Sequence, residues 1–167
     1  MEKTLQVLND MERAGVIGRY AVGGAVGAIF YMEPVLTYDL GIFVHLSADA
    51  GALASLSPIY DYLRARGYES KDEGIVIEGV AVQFLPVFNS LIEEAMSEAR
   101  DITYGQTPSR VMRAEHLAAI MFQTGRPKDK ERLASFMAQA ELDREYLRGI
   151  LERHGLAERW RSLRGTD

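Results

Sequence analysis

The sequence predicts an α+β protein: a mixed β-sheet with flanking helices, followed by C-terminal helices. Three observations predict it. Leu40, Ile42, Val44 and Leu46 alternate with Asp39, Gly41, Phe43 and His45, the period of a strand covered on both faces. Val80, Val82 and Phe84 alternate in the same way with Ala81, Gln83 and Leu85. From Ala114 onward the apolar spacing turns helical and stays so. At 167 residues the chain has the length of one domain and buries roughly 70% of its extended surface on folding.

Along the chain, Leu5, Leu8 and Met11 give an amphipathic helix that ends at Gly15 and Gly18. Tyr20 to Val22 is strand-like and runs into Gly23-Gly24. Helix-compatible residues Ala25 to Met32 follow until Glu33-Pro34, since the residue before proline is pushed out of the α region. A strand spans 36–46. Ser57 as cap and Pro58 in the first turn open a helix that Gly67 closes. Residues 68–71 form a short strand, and Ile75 to Ile77 with Val80 to Leu85 form a hairpin around Glu78-Gly79. Ser90 to Ala99 reads as a helix, Asp101 to Pro108 as a turn-rich segment, and Val111-Met112 as a minor strand. Leu117, Ile120 and Met121, then Leu133, Phe136 and Met137, then Tyr146, Leu147, Ile150 and Leu151 line three helices, with a charged tail after Trp160. The expected organisation is a core over 1–112 and a helical part over 113–167 packed on it as one compact unit.

Apolar residues make up 47% and charged residues 26%, which excludes global disorder. The absence of cysteine excludes disulfides, thiolate metal sites and cysteine nucleophiles. The net charge of -5 gives no overall drive toward nucleic acid or anionic membrane, although 126–167 sums to +2 against -7 for 1–125. His45, His116 and His154 are scattered without metal-ligand spacing, and no serine sits in a nucleophile-elbow motif. No apolar run approaches the ~20 residues of a membrane span, and the first residues do not form a signal peptide. A cytoplasmic, soluble protein with no membrane partner is expected.

The segment VGGAVGAIFYMEPVLTYDLGIFV, residues 22–44, carries the most chemistry. Paired glycines let a ligand approach the backbone, the following helix offers free amides to phosphate, and Asp39 offers a carboxylate to Mg²⁺. The same glycines equally suit a bare strand-to-helix turn, and Asp39 a purely structural aspartate. This segment resembles the signature of the nucleotidyltransferase superfamily in its small prokaryotic form, near the minimal nucleotidyltransferases and the AbiEii-type toxins. Gly23-Gly24 match its glycine pair, Thr37 its threonine and Asp39 the first carboxylate of its Asp-x-Asp. The similarity extends over about 20–135 through Val82 to Pro86, Glu115-His116-Leu117 and Arg126-Pro127-Lys128-Asp129. It implies a nucleotidyltransferase-like fold, a catalytic and metal-binding role for Asp39, and nucleotide contacts from Gly23, Gly24, Thr37, Gln83, Arg126 and Lys128. Arg126 and Lys128 read alternatively as solvated charge with local ion pairs, and Gln83 as a solvated strand residue.

The departures decide the function. Gly41 stands where the second carboxylate belongs, and Gln83 where the third belongs. Two Mg²⁺ ions need several bridging anionic oxygens, and one carboxylate does not supply them. The expectation is a degenerate site that binds a ligand or partner without catalysis. The resemblance implies a nucleoside triphosphate, or a partner protein of a toxin-antitoxin pair; nucleic acid has weaker support. The alternative is an active enzyme moving a nucleotidyl group from a nucleoside triphosphate to a protein, RNA or small-molecule hydroxyl, with Mg²⁺ as cofactor. Glu33, Asp49 and Glu78 are the candidate displaced carboxylates.

Overall fold

The computed structural model describes residues 1–33, 39–46 and 55–164. Thr37, Asp49 and the first part of the strand expected over 36–46 lie outside them. Helix α1 (Glu2–Arg13) buries Leu5, Leu8 and Met11, the stripe its spacing predicts. Strand β1 (Ile17–Gly23) then runs into helix α2 (Gly24–Ile29), which is three residues shorter at its end than the sequence suggests. Gly18 does not end α1; it sits inside β1. Strand β2 (Leu40–Leu46) is followed by α3 (Ser57–Arg64), strand β3 (Glu69–Lys71) and the β4 (Gly74–Ile77) and β5 (Val80–Pro86) hairpin. Ser57 is the first helical residue of α3 rather than its cap, and its amide donates to Ser55 Oγ at 3.1 Å. Glu78 and Gly79 both have positive φ, as a tight right-twisted hairpin turn requires.

Helix α4 (Ser90–Ser97) is capped by Asn89, whose Oδ1 accepts the Ile92 amide. The segment expected to be mostly turns is instead a hairpin of β6 (Arg100–Tyr104) and β7 (Thr107–Val111). Its strands carry little apolar alternation because β6 is an exposed edge, and much of its order comes from α1. Glu2 accepts the Gln106 amide, Gln6 donates to Thr107 and Asn9 donates to the Pro108 carbonyl. The C-terminal helices are α5 (Ala114–Thr124), α6 (Pro127–Gln139), α7 (Arg144–Arg153) and α8 (Ala157–Arg164). The last is a helix where the sequence suggests only a charged tail; Trp160 holds it by stacking edge-on against Phe122.

Among the described residues the strands form one mixed seven-stranded sheet in the order β3-β4-β5-β2-β1-β7-β6. β1 runs antiparallel to β2 and parallel to β7, while β2 runs parallel to β5. Both faces are covered. Leu40, Ile42, Val44, Val82 and Phe84 pack with α1 and α3 residues on one side. Phe43 and Ala21 pack with α4, α5, α6 and α7 residues on the other. The C-terminal helices thus share a core with the sheet. Among the described residues no helix is long and apolar enough to cross a membrane.

Candidate functional site

The strand register builds the candidate site. Gly23 pairs with Gly41, and Gly41 pairs with Gln83, so three adjacent strands bring these residues into one row. Residues in register share a face of the sheet. That face is the one on which Phe43 meets the C-terminal helices. Gly24 begins α2 with φ +60, a conformation that glycine adopts without strain. Asp39 lies immediately before β2, exposed, two residues from Gly41. The result is a floor of Gly23, Gly24 and Gly41, bordered by Asp39 and Gln83, with the Phe43 ring and the Met112 sulfur lying over Gly23.

The two central glycines are constrained differently. A Cβ on Gly23 would stand 2.6 Å from the Phe43 ring, whereas one on Gly41 would meet nothing nearer than the Gly23 carbonyl oxygen at 3.6 Å. Gly23→Ala should therefore cost about 1–3 kcal/mol as buried Phe43 is displaced. Gly41→Ala should change stability by less than about 1 kcal/mol. Urea titration of both variants checks the contrast. Space does not demand glycine at 41.

Gln83 is committed to a neighbour. Its Nε2 donates to Glu73 Oε2 at 3.1 Å, and Glu73 comes from the turn between β3 and β4. The Glu73 carbonyl in turn accepts the Tyr60 hydroxyl. Glu73 was not among the carboxylates suggested by the sequence, because its approach depends on the β4–β5 pairing. Of the displaced candidates Glu33, Asp49 and Glu78, Asp49 lies outside the described residues, and the other two make these contacts. The Glu33 amide donates to Gln139 Oε1 at 3.2 Å, and the Glu78 carboxylate accepts the Tyr68 hydroxyl at 2.9 Å.

Arg126 and Lys128 open α6. The Arg126 guanidinium donates to buried Asp129 at 2.6 Å, and Arg132 reaches the same carboxylate at 3.9 Å. It is the far end of α6, at Gln139, that touches the chain after α2. Thirteen residues at about 1.5 Å each put roughly 18 Å between the two ends of that helix. Arg126 forms a local ion pair, and among the described residues no hydrogen bond or ion pair ties it or Lys128 to the glycine floor.

Among the described residues, the donor set at this row is short of the bridging anionic oxygens that a pair of divalent cations needs. Asp39 brings one carboxylate, Gly41 brings none, and Gln83 brings a neutral amide already bonded to Glu73. Among the described residues no group of three or more His, Asp or Glu side chains is arranged to hold a metal ion.

A second polar cluster lies between α4, α5 and α7. Glu94 accepts His116 Nε2 at 3.1 Å, His154 Nε2 at 2.7 Å and Arg153 at 2.6 Å. The Arg153 bonds lead the causes that lower its carboxyl to about 2 against the cost of burial, with the two imidazoles adding to them. His116 is fully buried, and its Nδ1 has no hydrogen-bond partner among the described residues. Burial lowers its pKa despite the facing carboxylate, because a charged ring would present a second N–H with nothing to accept it. Neither histidine announces this cluster in sequence, since Glu94 is 22 residues from one and 60 from the other.

No protein-family model matches the chain, and no curated protein is detectably similar to it. Among solved structures, the chain is similar to the antibiotic-resistance factor ANT(2'')-Ia, whose solution structure shows substrate-regulated conformational dynamics. The match has 15% identity and a TM-score of 0.49, and it covers 99% of this chain and 98% of that one. At this level the likeness assigns neither a family nor an activity.

Proposed function

We propose that the chain is a nucleotidyltransferase-fold protein with a degenerate two-metal site, which binds a ligand or partner over the Gly23–Gly24 floor without nucleotidyl transfer. The observation that carries this reading is the row Gly23–Gly41–Gln83. The register aligns three strands as a nucleotidyl-transfer site needs, yet two carboxylate positions hold glycine and an amide bound to Glu73. Stabilising a transferring phosphoryl group requires cations held on several carboxylates, and here Asp39 stands at the floor while the Glu73 carboxylate is bonded to Gln83. Binding makes no such demand. A nucleoside triphosphate, or a partner protein of a toxin-antitoxin pair, is the occupant that the sequence resemblance suggests.

Calorimetric titration with ATP, GTP, CTP and UTP, each with and without Mg²⁺ or Mn²⁺, tests the reading. Any nucleotide that binds should do so with an affinity that metal changes by less than about threefold, and no label should pass from it to an acceptor. Metal-dependent binding that disappears in Asp39→Ala, or transfer of label, would overturn the proposal in favour of an active nucleotidyltransferase.

A further inference from the structure

The amino end of α4 meets the carboxyl end of α7 at three side chains that the glycine floor does not use. Ser90 is the first residue of α4 and is exposed. Its Oγ lies 3.2 Å from His154 Nδ1, and His154 Nε2 lies 2.7 Å from Glu94 Oε2. Ser90 and Glu94 stand four residues apart on α4, hence on one face, and the imidazole bridges them. The His154 side chain is only 8% exposed, so the imidazole is held between Ser90 and Glu94 rather than free in solvent. We propose that Ser90, His154 and Glu94 form an acyl-transfer relay for small uncharged carboxylic esters.

The parts have the roles such chemistry needs. Ser90 Oγ attacks the ester carbonyl carbon, and its proton passes to His154 Nδ1. Glu94 is the positioning residue; its carboxylate holds the other ring N–H and is itself held by His116 and Arg153. His154 caps the carboxyl end of α7, where a transient positive charge is favoured. The carbonyl oxygen, as it gains charge, meets the positive end of α4. There the Ile92 amide goes to Asn89, while the amide of exposed Ser90 precedes the first intrahelical bond. The carbon–oxygen bond to the alcohol breaks, and the alcohol leaves with the proton from Nδ1. Water, deprotonated by the same nitrogen, then releases the carboxylic acid and restores Ser90. Phe88, 74% exposed two residues before the serine, offers an apolar surface to the acyl or alcohol group.

The test uses the full chain. A fluorophosphonate, which loses fluoride to a nucleophilic serine, should modify Ser90, as located by peptide mass spectrometry. Hydrolysis of p-nitrophenyl acetate should fall about 100-fold in Ser90→Ala and His154→Gln, the scale of general-base catalysis. Glu94→Gln, assayed where circular dichroism shows it folded, should lower kcat with KM unchanged. The exposed position of Ser90 makes its alanine variant a safe one to fold, and the wild-type adduct is an independent readout. No adduct at Ser90, or ester turnover in Ser90→Ala equal to wild type, would overturn the proposal.

Discussion

Phe136→Ala lowers the unfolding free energy by about 3–5 kcal/mol, the range for emptying a buried aromatic site. Phe136 is fully buried on α6, and its ring meets Tyr31 edge-on at 6.3 Å. Tyr31 in turn donates its hydroxyl to the Met112 carbonyl at 2.9 Å, so the ring of Phe136 rests on a residue that is itself fixed to the end of β7. Among the thirteen residues of that helix, only Asp129 and Phe136 are buried, and Asp129 faces its own guanidinium neighbours. Phe136 is therefore the one fully buried apolar side chain of the helix, with Leu133 and Met137 packed partly buried beside it. A fall in the urea midpoint without a change in slope measures the loss. Amide exchange should show α6 opening before the sheet.

Glu94→Ala is the second large effect. Removing one partner from a buried ionic cluster typically costs 3–5 kcal/mol. A fifth of the Glu94 side chain remains open to solvent, which screens its charge, so the expected loss is about 2–3 kcal/mol. The larger part is the penalty left on His116, whose only bonded ring nitrogen loses its acceptor. The same cluster sets a pH dependence. The Glu94 carboxyl titrates near 2 in the folded chain and near 4.5 when free, so the unfolded chain takes up the proton first as pH falls. Its contribution is complete above about pH 4.5 and drains away down to about 2. His116 acts in the same direction. Its folded value lies below 6.5, so its contribution is present above that pH and is lost as the pH falls through the depressed value. Denaturant midpoints measured from pH 7 to pH 2 should decline in wild type, and Glu94→Gln should flatten the segment below pH 4.5.

The sheet and its two faces were legible from residue spacing, because a period of two places every second residue on the same side. Leu40, Ile42 and Val44 follow that rule on one face and Phe43 on the other. The row of Gly23, Gly41 and Gln83 was not legible in that way, because a period of two fixes the side a residue faces while strand order and register fix which residues meet. Other features depend on contacts that no local pattern records. The β6–β7 hairpin gains order from Glu2, Gln6 and Asn9, about one hundred residues away in sequence. α8 follows Gly155 with few apolar residues, and its attachment rests on Trp160 against Phe122. The bond between Gln83 and Glu73 required knowing that β4 lies beside β5. Glu94 looked like one more acid on an amphipathic helix until α5 and α7 delivered two imidazoles and a guanidinium to it.

The two rims of the sheet are built from its least apolar strands. β3 consists of Glu69, Ser70 and Lys71, all exposed, and β6 on the opposite rim is mostly exposed with Arg100 and Asp101 at its start. A foreign strand seeking unpaired amides there would have to strip water from ionised groups and would find only a few residues to pair with. The molecule is thereby protected at both margins from growing into ribbons or fibrils, even though β4, β5 and β2 between them are rich in Val, Ile, Leu and Phe.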